Sequence, residues 1–195
     1  AFKEGKDIHL STAAKVYNIP EDSVTRRQRS NAKTVNFGII YGVSAFGLSQ
    51  QTDLNRVESK EMIDTYYKSY PKLKQYMSSQ IQYARENGFV STLLKRRRYL
   101  KDINSQNAIV RGAAERTAIN APVQGSAADI IKLAMIQIDK KIHKEKLQSR
   151  MILQVHDELV FDVPKEEKDV LSEIVKIEME NALELKVPLV VDLET

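Results

Sequence analysis

Residues 26–47, from Arg26 to Gly47, read RRQRSNAKTVNFGIIYGVSAFG. Within this stretch Arg29, Lys33, Phe37 and Tyr41 stand four apart. At 3.6 residues per turn a step of four drifts about 40° around a helix axis, so the four side chains form one slowly winding stripe. The stripe starts with two fixed positive charges and finishes with two aromatic rings. Such a surface suits a ligand with an anionic tail and a flat apolar head, and a nucleoside triphosphate is the obvious chemical type. The commoner use of this spacing is an amphipathic helix with solvated cations at one end and core aromatics at the other. Spacing alone therefore does not separate a ligand face from a packing face.

The flanks extend the helical reading in both directions. On the N-terminal side, Asp7 to Asn18 reads as a short helix that Asp7 caps and Pro20 ends. Glu21-Asp22-Ser23 restarts a helix, with acids near its positive end, that runs through the stripe to Gly42. Gly38 sits inside it at a cost of about 1 kcal/mol relative to Ala, so close packing, close approach of a ligand or a hinge is expected there. On the C-terminal side, short helices are expected over Ser44–Thr52, Asn55–Tyr70 and Lys72–Glu86, with Asn87-Gly88 as a stop. FVSTLL, residues 89–94, is the first stretch with strand character. Helices follow over Ser105–Ala121, ending at Pro122, and Ala127–Lys146.

After Arg150 the texture changes. Met151–Val155 and Leu159–Val163 are β-rich runs joined by His156-Asp157-Glu158, which reads as a β-hairpin with a polar tip. Lys165–Leu185 reads as an acidic amphipathic helix and Val187–Leu193 as a last strand. The fold class is α+β: a mostly helical first part and a second part in which helices pack on an antiparallel hairpin.

Composition narrows the function classes. The 195 residues are 42% hydrophobic and 29% charged, enough to bury a core in one domain or two small ones. There are no cysteines, which excludes disulfides, cysteine-based zinc fingers and thiol chemistry. No apolar run reaches the roughly 18 residues of a membrane span, and no signal-peptide pattern opens the chain, so an intracellular protein is expected. The net charge is +4, but the charge is clustered. Arg26–Lys33 holds four cations and no acid, and KRRRYLK, residues 95–101, holds five cations in seven residues. Clustered basic charge is the footprint of a polyanionic partner, although solvated basic faces also occur. The ends, Ala1-Phe2-Lys3 without an initiator Met and Leu193-Glu194-Thr195 just after an apolar run, read as those of a piece excised from something longer.

Two further groups carry candidate chemistry. Asp157 and Glu158 at a hairpin tip are hard oxygen donors suited to Mg²⁺, which keeps several waters and binds a few carboxylates plus substrate phosphates. A polar turn is the plain alternative, but the usual tight-turn glycine or asparagine is missing. Arg116, Asn120 and Gln124 are again spaced by four, and are side chains that donate to phosphates and base edges. Taken alone, that triplet fits ordinary surface or interhelix hydrogen bonding better than a site, and Pro122 is expected to kink the element between its last two members.

Taken together, the three groups resemble family A DNA polymerases over nearly the whole chain. RRQRSNAKTVNFGIIYG is similar to the family's motif B, with its R-x3-K-x3-F-x3-YG pattern, and VHDE, residues 155–158, is similar to motif C. TLLKRRRYLKDIN and RTAINAPVQGSAADIIK resemble the segments between them. The resemblance implies a fingers-like helical subdomain over residues 1–121 and the C-terminal part of a palm over 122–195. It implies that His9, Arg29 and Lys33 grip a triphosphate, with Lys33 also catalytic, and that Phe37 packs on the incoming nucleotide. Tyr41 would stack at the template side, and Arg116, Asn120, Gln124 and His156 would contact a primer–template duplex. Asp157 would hold catalytic metal, with Glu158 in support, in a two-Mg²⁺ site for attack of a primer 3′-hydroxyl on a nucleotide α-phosphate.

The departures from the family pattern set further expectations. Motif A, with the other metal-bridging aspartate, would lie just before Ala1, and the thumb further upstream, so the 195 residues alone are expected to be inactive. Self-association along an exposed sheet edge is a further expectation. Lys95 stands where the family usually has glycine, and is expected to add a backbone-contacting cation without cost. The implied partners are primer–template DNA and deoxynucleoside triphosphates, without a membrane, and the implied location is cytoplasmic, at the nucleoid. The alternatives are a phage-type single-subunit RNA polymerase and a nucleic-acid-binding module without catalysis.

Overall fold

The computed structural model describes residues 2–194. They form two compact units, one of the residues up to 91 with 95–123, the other of residues 92–94 with those from 124 onward. Two small antiparallel sheets and seven α-helices are present among the described residues, an α+β chain as expected.

The first unit is helical, and its helix starts are set by side-chain caps. Helix α1 (Ile8–Tyr17) begins at Asp7, whose carboxylate accepts from the backbone N–H groups of His9 and Leu10, and leaves through left-handed Asn18. Helix α2 (Arg26–Ile40) begins at Thr25 in a capping box with Gln28. This corrects the expected start at Glu21: Glu21–Ser23 is one separate 3₁₀ turn. The Thr-x-x-Gln pattern satisfies two N-terminal N–H groups reciprocally, which the acids of the 3₁₀ turn do not do. Helix α3 (Ala45–Ser49) starts at Ser44 and helix α4 (Arg56–Ser69) at an Asn55–Glu58 capping box. Helix α5 (Pro71–Asn87) has proline at its first position, where the missing N–H costs nothing, and ends at left-handed Gly88.

Apolar residues on one side of α2, Ala32, Val35 and Ile39, pack with Ala13, Leu48, Met62 and Tyr66 into the main core of this unit. A second cluster joins Ala84, Val90, Leu100 and Ile103 to Ala114 and Ala118. Strand β1 (Phe89–Ser91) pairs with β2 (Arg97–Tyr99), from Phe89 opposite Tyr99 to Ser91 opposite Arg97. The basic run thus supplies a strand where only a charge cluster was expected. Arg97 lies 4.5 Å over the Phe89 ring, so the cation and the aromatic stabilise the ribbon face together. Lys95, in the connection, has φ of 67°. The expectation that a lysine is harmless there is corrected, because the left-handed region costs a side chain with Cβ roughly 1 kcal/mol.

Helix α6 (Ala108–Lys144) continues through Pro122, where a break was expected. Proline removes one hydrogen bond and crowds the carbonyl four residues back. Burial overrides that penalty: Ala114, Ala118 and Ile119 are fixed in the first unit and Ala134, Ile138 and Ile142 in the second. In the second unit β3 (Arg150–Val155) pairs with β4 (Glu158–Asp162), with a bulge between Met151 and Leu153. Helix α7 (Lys168–Glu180) brings Leu171 and Val175 against the α6 residues of that unit, with Met151, Leu159 and Phe161 from the hairpin. The acidic helix is therefore shorter than expected. The expected last strand, Val187–Leu193, is not one: among the described residues no neighbouring strand pairs with it, and a strand exists only through its partner.

Candidate functional site

The stripe is carried by the α2 side opposite the core. Arg29, Lys33 and Phe37 lie on the helix, and Tyr41 caps its C-terminal end. Phe37 and Tyr41 are each 52% exposed, which removes the packing-face reading in which they were core aromatics. An open cleft of about 560 Å³ lies along them, lined by Lys33, Phe37, Gly38 and Tyr41 with Ser30, Thr34, Val43 and Gln51. Its floor shows why position 38 is glycine. A Cβ there would come within 2.8 Å of Val43 Cγ1, so close packing by a neighbouring side chain accounts for that residue.

The polar end of the stripe is joined by a side chain from α1. The His9 ring centroid lies 5.8 Å from that of Phe37, and His9 Nδ1 is 3.0 Å from Asn36 Nδ2. Burial pushes the His9 pKa below its ordinary value, and the positive fields of Arg29 and Lys33 act in the same direction against Asp7. Arg29 Nε donates to Asp7 Oδ2 at 2.7 Å, so the α1 cap also holds the first cation of the stripe. That bond, with the backbone N–H groups of Leu10 and His9, holds the Asp7 carboxyl below the usual carboxylate range. Lys33 makes no ion pair among the described residues and is exposed. This end of the stripe gathers two cations and an imidazole, a donor set matched to phosphate oxygens.

At the other end of α2, Gly42 has φ of 70°, and a Cβ on it would meet Arg116 Cγ at 2.8 Å. The Arg116 stem is thereby laid against the turn that follows Tyr41. Asn120 lies one turn further along α6, its Oδ1 buried without a hydrogen-bond partner. Helix α6 continues past Pro122, so Gln124 belongs to the same helix as Arg116 and Asn120. Gln124 belongs to the second unit.

His156 and Asp157 form the two-residue turn of the β3–β4 hairpin, and Glu158 pairs with Val155 as the first residue of β4. The tip is thus one residue shorter than expected. His156 takes the left-handed conformation, φ 54°, that Gly or Asn usually supplies in such turns. A non-glycine residue there is strained, a feature that collects at functional positions. Asp157 and Glu158 are exposed, and no group of three or more His, Cys, Asp or Glu side chains able to hold a metal occurs among the described residues. Asp157 thus offers one hard carboxylate oxygen donor, which fits Mg²⁺ as part of a shared coordination shell and not as a complete site.

Sequence reasoning found the stripe and the hairpin but missed Asp7 as the partner of Arg29, and Asn36 as the partner of His9. The available signal was Asn36 itself, since asparagine competes poorly inside a helix unless its side chain has other work.

The family model described as DNA polymerase family A matches residues 1–195. The chain belongs to DNA polymerase family A. It is 54% identical over 194 residues to DNA polymerase I of Caldicellulosiruptor bescii, covering 100% of this chain and 23% of that protein. It is 54% identical over 193 residues to DNA polymerase I of Streptococcus pneumoniae, covering 98% of this chain and 22% of that one. Among solved structures it is similar to the POL domain of Pol1 from M. smegmatis in complex with DNA primer-template and dNTP. The TM-score is 0.90 at 44% identity, over 96% of this chain and 33% of that one. The chain therefore spans less than a quarter of the length of these curated relatives. Family membership favours the DNA polymerase reading over the phage-type RNA polymerase. No helix among the described residues is long and apolar enough to cross a membrane.

Proposed function

We propose that this chain supplies the nucleotide-binding fingers face and part of the palm of a DNA-directed DNA polymerase that extends a primer 3′-hydroxyl with deoxynucleoside triphosphates. The observation that carries the reading is the α2 face, where Lys33 and half-exposed Phe37 and Tyr41 border one cleft, His9 packs beside Phe37 and Arg29 lies one turn before Lys33. Arg29, Lys33 and His9 bind the triphosphate, and Lys33 also offsets charge that builds as the phosphoryl group transfers. Phe37 packs on the sugar and base, and Tyr41 stacks at the template side. Arg116, Asn120, Gln124 and His156 contact the primer–template duplex, whose phosphates also suit the basic β1–β2 ribbon.

Asp157 would hold Mg²⁺, with Glu158 beside it, and a metal bound there would supply charge stabilisation to the oxygens of the transfer. Asp157 and Glu158 alone make half of such a site, so the 195 residues by themselves give no templated extension. A membrane-free cytoplasmic location at the nucleoid follows from this role.

Titration with dGTP followed by NMR or fluorescence tests the binding face. Saturable binding that Lys33→Ala weakens supports the reading, and a chain that binds no dNTP overturns it. In a full-length polymerase carrying this chain, Asp157→Ala separates an enzyme from a plain binding module. The enzyme loses extension and keeps DNA binding, whereas the module loses neither.

A further inference from the structure

Behind His9 runs a chain of polar side chains that joins three helical elements. Thr12, one turn along α1 from His9, is buried to 3% exposure. Its Oγ1 lies 3.2 Å from Asn36 Oδ1 and 3.3 Å from the hydroxyl of Tyr70, the residue between α4 and α5. Asn36 Nδ2 in turn lies 3.0 Å from His9 Nδ1. The other ring nitrogen of His9 has no partner among the described residues.

The direction of this chain decides what His9 can do. A hydroxyl carries one proton, and an amide has one accepting and one donating end. The single Thr12 hydroxyl proton is directed to Asn36 Oδ1, which leaves Thr12 Oγ1 to accept from Tyr70. Asn36 is left with its NH₂ facing His9, so Nδ1 accepts and the imidazole proton resides on Nε2. The hydrogen bond made by one ring nitrogen thus sets the state of the other.

We propose that Asn36 is a positioning residue for triphosphate binding, which holds His9 as a neutral imidazole with its Nε2–H free to donate to a phosphate oxygen. The proposal rests on the nucleotide-binding reading of α2. The charged groups around the ring are Asp7 on the α1 side and Arg29 and Lys33 on α2. Burial first, and then the fields of Arg29 and Lys33 against that of Asp7, disfavour a proton on the second ring nitrogen, so the pair Arg29 and Lys33 supplies charge while His9 supplies direction. A neutral donor fixed by a hydrogen bond costs less to orient than a third mobile cation.

The test is ¹⁵N NMR of the histidine ring nitrogens in the 195-residue chain, with His9 assigned through His9→Gln and dGTP as the probe. The expected result is the Nε2–H tautomer at pH 8, a titration midpoint below the ordinary histidine value, and movement of the His9 signals on adding dGTP. Asn36→Asp, nearly isosteric, places a carboxylate against Nδ1. It is expected to move the proton to Nδ1 and raise the midpoint, and Thr12→Val to give a mixture of tautomers. Both are expected to weaken dGTP binding at pH 8 by about three- to tenfold, the scale of one ordinary hydrogen bond. An Nδ1–H tautomer in the unsubstituted chain overturns the proposal. So do variants in which tautomer, midpoint and dGTP affinity all stay unchanged. An unsubstituted chain that shows the Nε2–H tautomer but binds no dGTP breaks the nucleotide reading, and with it the role of His9 toward phosphate, while the hydrogen-bond direction stands.

Discussion

The α2 face and the β3–β4 hairpin tip both present charge to solvent, but one is braced by its own unit and the other is not. On α2 the polar groups are tied before any ligand arrives: Arg29 to Asp7, and His9 to Asn36, which Thr12 and Tyr70 hold in turn. At the hairpin the tip residues His156 and Asp157 are exposed, and Gln154 ties the turn by donating to the backbone carbonyl of His156. A face that binds a flexible polyanion gains from donors whose orientation is already fixed, because less entropy is lost on binding. A carboxylate that shares a metal with other groups has nothing to brace against until they are present. The difference separates a surface that works by shape from one that works by completion.

The hairpin side of this comparison breaks with the largest effect. In a full-length polymerase carrying this chain, Asp157→Ala is expected to lower primer extension on the order of 10³-fold or more, the loss of several kcal/mol of metal-mediated stabilisation. Duplex affinity measured by fluorescence anisotropy should stay within a factor of two or so, since one carboxylate adds little to phosphate binding. Equal loss of binding and extension would mean that Asp157 holds the duplex, and the contrast with α2 would fall.

The α2 side is tested by its two cations. Lys33→Ala is expected to lower kcat/KM for dNTP about 100-fold, as removal of one preorganised charge from a phosphoryl site does. Arg29→Ala should cost less, because Asp7 already offsets part of that charge at 2.7 Å. The bridge is half-exposed and screened, so the difference is modest. Asp7→Asn keeps a competent cap for α1 while releasing Arg29. It is expected to tighten dGTP binding by up to about fivefold, the upper range for an exposed pair. An unchanged affinity would show that Asp7 is a cap and nothing more.

These contrasts explain what could be read from the residues alone. The stripe was legible because a step of four on a helix is fixed by geometry, and the hairpin because alternating apolar runs flank a polar turn. Which face of α2 was buried was not legible, since Ala32, Val35 and Ile39 form a second stripe with an equally helical spacing. Only their burial against Leu48, Met62 and Tyr66 left Phe37 and Tyr41 outside. The path of α6 was misread because proline is a local rule, and packing on both sides of Pro122 is not local. The end of the chain was misread for the opposite reason. Val187–Leu193 has strand composition, but pairing depends on a neighbour that composition does not contain.

Smaller effects sharpen the comparison through the backbone. Gly38→Ala gains about 1 kcal/mol of helix propensity but drives its Cβ to 2.8 Å from Val43 Cγ1. Overpacking of this kind costs about 1–3 kcal/mol, so a net loss of about 1 kcal/mol is expected in chemical denaturation. Adding Val43→Ala should remove the clash, because the offending atoms belong to that side chain alone. If the double variant stays as unstable as the single one, the constraint at position 38 lies in the backbone and not in the floor of the cleft.

The smallest effect concerns the β1–β2 ribbon, where charge and conformation pull apart. Lys95 is held at φ 67° next to three arginines. Glycine adopts that conformation freely, so Lys95→Gly relieves strain of roughly 1 kcal/mol while adding some unfolded-state entropy. A net stabilisation of about 0.5 kcal/mol is expected, read as a small rise in Tm. If the lysine serves nucleic-acid binding, the same variant should lower the salt dependence of duplex affinity by close to one phosphate contact, with no change in sequence preference. A gain in stability with an unchanged salt slope would mark Lys95 as strain without function. A gain together with a shallower slope would place the ribbon with the α2 face, as a surface whose local strain is kept for the charge it positions.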